Sequence, residues 1–149
     1  ASQVGSQLES VIRTMHRPIL VTAGEFRKPA NVMLAFDNST TARKGVEMLA
    51  ESPLFAGLPI HLVMVGADTN DAWEAIDAAK LRLEKAGFAV QASIKAGEVE
   101  TVLADYEQAN DIDMLVMGAY GHSRIRQFFV GSTTTNILQK TSRPVLLLR

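Results

Sequence analysis

Cysteine is absent from the 149 residues, which removes disulfides, thiolate chemistry and cysteine-held zinc or iron–sulfur centres, and fits a reducing compartment. Nor is charge of one sign in excess: 15 Lys and Arg stand against 16 Asp and Glu, a net charge of −1. No global field therefore draws the chain onto DNA, RNA or an anionic membrane, and any anion site has to be local. Long hydrophobic runs are missing as well. Met114–Val116 and Val145–Leu148 fall far short of the roughly 20 residues that span a bilayer, and no charged-then-apolar leader pattern opens the sequence. Three motifs of nucleotide and hydrolase chemistry, G-x-x-x-x-G-K-[ST], G-x-G-x-x-G and G-x-S-x-G, do not occur; the nearest to the last, Gly121-His122-Ser123-Arg124-Ile125, lacks its second glycine. His16 and His61 are too scattered for metal ligation, which needs clustered ligands. These absences predict a cytoplasmic domain with no nucleic-acid or membrane partner, no metal ligands and no catalytic residues.

What the sequence does hold is 47% hydrophobic residues, in a length suited to one domain that buries about 68–70% of its unfolded surface. Short β-rich runs recur at Val32–Phe36, Ile60–Val65, Phe88–Ile94, Met114–Met117 and Val145–Leu148, several of them apolar at successive positions, as in strands covered on both faces. Helical spacing fills the gaps: Ala42, Val46, Leu49 and Ala50, then Trp73, Ile76 and Leu83 closed by Gly87, then Val99, Val102, Leu103 and Tyr106, with Ile137 and Leu138 after Ser132. Alternating strands and helices predict an α/β fold with a doubly wound parallel sheet and right-handed crossovers. Ligands of such sheets lie beyond the strand carboxyl ends, where the winding reverses. Two loops stand out there, Asp37-Asn38-Ser39 after the first strand of the module and Gly118-Ala119-Tyr120-Gly121 after the fourth. If both border one crevice, the five strands run in the order 3-2-1-4-5.

The two ends of the sequence repeat one another. Val4 to Val21 lies on Val130 to Leu147 without a gap, at an offset of 126, with six identities and four aliphatic exchanges over the 18 positions. Residues 1–22 are therefore expected to be the last helix and strand of a preceding module, 23–30 a linker and 31–149 a nucleotide-binding domain. An ordinary amphipathic leader helix is the plainer alternative. A strand near residue 20 is expected to pair antiparallel with the last strand, whose edge is otherwise open. The span from Val21 to the first strand of the module is then three strand spacings, roughly 14 Å, within the ~27 Å reach of eight linker residues.

Chemistry concentrates in Gly118-x2-Gly121-x9-Gly131-Ser132-Thr133. Glycine turns the backbone through positive φ and lets it approach a ligand without a Cβ in the way. Gly131-Ser132 leads into a helix, whose unpaired N–H groups and dipole favour an anion, and Ser132 and Thr133 add hydroxyl donors. Singly, each of these residues is as well explained by a turn or a cap; together at a winding reversal they point to a polyphosphate.

The spacing G-x2-G-x9-G-[ST], intact as Gly118, Gly121, Gly131 and Ser132, resembles the ATP-binding signature of the universal stress protein family. The run Gly118 to Arg124 and the ending Arg143-Pro144-Val145-Leu146-Leu147-Leu148 are similar to it too, and the resemblance covers Pro29 to Arg149. It implies the 3-2-1-4-5 sheet, adenine near Asp37 and the backbone of Val65, and a triphosphate on Gly118, Gly121, Gly131, Ser132 and Thr133. It further implies pairing of two modules, or of two copies, through the last strand. The sequence departs from the family at Ala35, where some ATP-binding members carry proline, and at Met64-Val65-Gly66, which lacks a frequent histidine.

Asp37 has two readings, cap of the following helix or contact to adenine or ribose. His122, Arg124 and Arg126 are either solvated loop residues or partners of phosphate oxygens. Trp73 reads as core. The expected ligand is ATP, with AMP or ADP as alternatives, and Mg²⁺ would ride with the phosphates on one or two protein ligands. The expected role is a stress-response regulatory module. A nucleotide-independent dimerisation scaffold is the alternative, and a slow nucleotide hydrolase a third.

Overall fold

A computed structural model describes residues 18–22, 28–118 and 143–148. Its strands are β1 (Ile19–Val21), β2 (Val32–Ala35), β3 (Ile60–Val65), β4 (Val90–Lys95), β5 (Met114–Gly118) and β6 (Val145–Leu148). The helices are α1 (Thr40–Glu51), α2 (Asn70–Lys85) and α3 (Val99–Ala109). All lie in one six-stranded sheet of order β1-β6-β5-β2-β3-β4. The five strands from β2 to β6 are parallel in the expected 3-2-1-4-5 order, and β1 adds antiparallel to β6. The fold class is thus the one expected. The helix expected in 1–17 and the helix expected after Ser132 lie outside the described residues.

Side chains explain the layering. Val32, Leu34 and Phe36 pack into a core with Val46, Leu49, Ile76 and Leu83 beneath α1 and α2. Met33, one step along the same strand, enters a second core with Val63, Leu103, Tyr106 and Leu115 beneath α3. Alternate residues point to opposite faces, so burial on both faces demands continuous apolar runs. Among the described residues no helix is long and apolar enough to cross a membrane.

Capping sets where each helix starts and stops. Thr69 Oγ1 accepts from Ala72 N at 3.1 Å to open α2, with Asp71 in the first turn and Arg82 and Lys85 in the last, each sign matched to the helix dipole. Gly87, at φ 98°, ends α2: its N–H reaches the Glu84 carbonyl at 3.0 Å and the Phe88 N–H reaches that of Leu83 at 3.1 Å. Phe88 is consumed by this cap, so β4 begins at Val90 and not at Phe88 as the β-rich run predicts. Likewise β2 ends at Ala35, although the Phe36 N–H still bonds the Val63 carbonyl at 2.9 Å. Asp113 fastens the chain that enters β2. Its carboxylate accepts from Ala30 N at 2.9 and 3.1 Å and from Asn31 N at 3.0 Å.

Candidate functional site

Winding starts at β2, moves outward through β3 to β4, then returns to β5 on the other side of β2. The reversal therefore lies between β2 and β5, and their carboxyl ends border the crevice. Val32, Met33 and Leu34 pair with Met114, Leu115 and Val116. Carried two residues further, this register sets Phe36 level with Gly118. The β2–β3 register, ending at Ala35 opposite Val63, sets Asp37 level with Val65 in the same way. Three candidate residues, Asp37, Val65 and Gly118, thus share the carboxyl edge of three adjacent strands, β3, β2 and β5.

The turn after β2 is locally specified. Asn38 takes φ 60°, a left-handed conformation that asparagine tolerates. The Ser39 N–H donates to Asp37 Oδ1 at 2.9 Å, closing an Asx turn. Buried Ser39 is the N-cap of α1, its Oγ accepting from Ala42 N at 3.1 Å. Of the two readings of Asp37, helix cap is corrected: Ser39 performs it, two residues on, while Asp37 is exposed at the crevice. Gly66 spends its N–H on the Lys95 carbonyl at 2.9 Å, and Val65 stands opposite Lys95. Lys95 therefore extends the row Asp37–Val65 by one strand, a neighbour that no sequence spacing revealed because it depends on pairing.

Trp73 is partly buried against the core, as read, with its indole N–H donated to Asp68 Oδ1 at 2.6 Å. The other candidates, Gly121, His122, Arg124, Gly131, Ser132 and Thr133, lie outside the described residues, as do Arg126 and His16. On the α1/α2 face a separate open groove of about 350 Å³ runs past Phe36, Asn38, Arg43, Ala75 and Ala79, flanked by the Arg82–Glu47 ion pair at 2.8 Å. His61, on β3 below Val65, is buried and its Nδ1 lies 2.6 Å from the Tyr106 hydroxyl. Burial holds the His61 imidazole below its ordinary pKa and pushes the Tyr106 phenol up.

A family model described as the universal stress protein family matches residues 65–149, more than half of the chain. The chain belongs to the universal stress protein family. It is 42% identical over 148 residues to a universal stress protein of Synechocystis sp., an alignment covering 98% of this chain and 52% of that protein. It spans about half the length of the curated relatives it matches. Among solved structures, a Methanocaldococcus jannaschii universal stress protein superposes with a TM-score of 0.72 at 20% identity, over 82% of this chain and 96% of the other. A universal stress protein in complex with cAMP gives a TM-score of 0.63 at 17% identity, over 83% and 98% of the two chains. An Arabidopsis thaliana member with AMP bound gives 0.61 at 17% identity, over 80% and 90%. At these identities the likeness to solved structures is one of fold.

Proposed function

We propose that this universal stress protein domain binds an adenine nucleotide across the β2–β5 crevice and acts as a stress-response regulatory module in the cytoplasm. ATP is the first choice and AMP or ADP the alternatives, with Mg²⁺ carried by the phosphates. The observation that carries the reading is the gathering of Asp37, Val65 and Gly118 on one carboxyl edge at the winding reversal. In it, the base lies by Asp37 and Val65, and the phosphates run from Gly118 toward Gly121, His122, Arg124, Gly131, Ser132 and Thr133. Further support comes from the intact glycine spacing and from two fold neighbours, one in complex with cAMP and one with AMP bound.

Residues 1–22 belong, in this proposal, to the end of a preceding module, 23–30 to a linker and 31–149 to the nucleotide-binding domain. Support comes from the register of the edge pairing. Ile19, Leu20 and Val21 pair with Leu147, Leu146 and Val145. Under the offset of 126, Leu20 pairs with its own repeat equivalent, and Ile19 pairs with the equivalent of Val21. Such self-complementarity is the mark of two like elements about a two-fold axis. It also favours a second reading, a scaffold that uses the β6 edge to hold a preceding module or a second copy.

Titration calorimetry with ATP and Mg²⁺ tests the first reading. Binding heat is expected, and Gly131→Asp is expected to remove it through bulk and charge. No heat at millimolar ATP, together with no nucleotide released from freshly purified protein in mass spectrometry, rejects nucleotide binding.

A further inference from the structure

Beneath α3 the sheet is not wholly apolar. His61 on β3 is 9% exposed and Tyr106 on α3 is 5% exposed, with 2.6 Å between Nδ1 and the hydroxyl and 5.4 Å between ring centroids in an edge-on arrangement. This contact joins α3 to β3. It engages Tyr106, one of three residues that α3 buries, with Leu103 and Glu107.

We propose that the His61–Tyr106 contact is an acid-sensitive latch: α3 is held on the sheet while His61 is neutral and is loosened when His61 takes up a proton. Protonation leaves a cation in an enclosed site, and a Tyr106 hydroxyl that donates to Nδ1 has to turn and accept from it instead. Met33 of β2 and Gln91 of β4 stand opposite His61 in the ladders, and neither is charged. The nearest charge described on β4 is another cation, the Lys95 ammonium 6.0 Å from the Tyr106 ring centre. On α3 the buried Glu107 faces Arg143 at 4.0 Å. Burial keeps the Tyr106 phenol protonated across the neutral range, so His61 is the group that titrates.

The sign follows from linkage. Because the folded-state pKa of His61 is lowered, the unfolded or opened chain binds more protons between that value and about 6.5. The latch is fully closed above about 6.5 and is lost as pH falls through the folded pKa. Loosening α3 frees the lead into β5, which ends at Gly118.

Deuterium exchange tests it on the whole chain, with peptides from α3 read against α1 as an internal reference and rates corrected for intrinsic pH dependence. Between about pH 8 and about pH 5, α3 protection is expected to fall relative to that of α1. His61→Gln, which keeps an acceptor but does not titrate, is expected to abolish that fall. If His61→Gln does not fold, the NMR titration of His61 in the wild type serves: its midpoint is expected below about 6.5 and to coincide with the loss of α3 protection. Equal pH dependence of α3 and α1 in the wild type, an undiminished fall in His61→Gln, or a His61 midpoint that does not coincide with the change in α3 overturns the proposal.

Discussion

Ser39 and Asp37 divide the work of one turn between them, and their roles separate by experiment. Ser39 caps α1 from a buried position, so Ser39→Ala is expected to cost about 1 kcal/mol in urea unfolding while leaving nucleotide affinity nearly unchanged. Asp37→Ala is expected to weaken nucleotide binding by more than it weakens the fold, since the exposed carboxylate holds one backbone N–H of the turn. Equal affinity losses in the two variants would mean that Asp37 acts only through the turn. Sequence alone offered Asp37 two parts and could not choose, because Asp and Ser are equally good caps and only the helix start decides between them. Asp113 was invisible for a different reason. Its partners Ala30 and Asn31 are more than 80 residues away in the chain, and nothing in an isolated aspartate announces a long-range acceptor.

α1 shows how an element is fitted to the sheet. A Cβ built on Gly45 would overlap the side chain of Leu148 on β6, which is 3% exposed and has little room to move. Helix propensity alone favours alanine over glycine by about 1 kcal/mol. Here overpacking wins, so Gly45→Val is expected to destabilise by about 1–3 kcal/mol, read as a lower urea midpoint at unchanged slope. An equal or higher midpoint would show that the α1–β6 contact yields freely. Strand centres were legible from their apolar runs, and β3 and β6 match to the residue. Ends were less so: the α2 cap displaced the start of β4, since Phe88 is equally apolar in a cap or a strand.

For the whole molecule, the decisive feature is the β1–β6 seam. β6 would be an open parallel edge without β1, and an open apolar edge recruits other strands. Deleting residues 1–22 is therefore expected to raise the mass measured by light scattering to about that of a dimer, the symmetric pairing of two such edges. An unchanged monomeric mass would count against the seam as an association surface. In the intact chain the same edge is occupied, and exposed Leu20 on β1 forms the outer rim.

By itself the sequence determined the kind of layers and their order, because period-two and helical spacing of apolar residues leave few ways to bury both faces of a parallel sheet. It also marked the glycine spacing and the repeat of the two ends, both visible as identity at fixed separation. Only the tertiary structure decided which residues share an edge. The row Asp37, Val65, Lys95 and the Tyr106–His61 contact join residues through strand register and helix docking, and register follows from how whole strands pair, which no local spacing encodes.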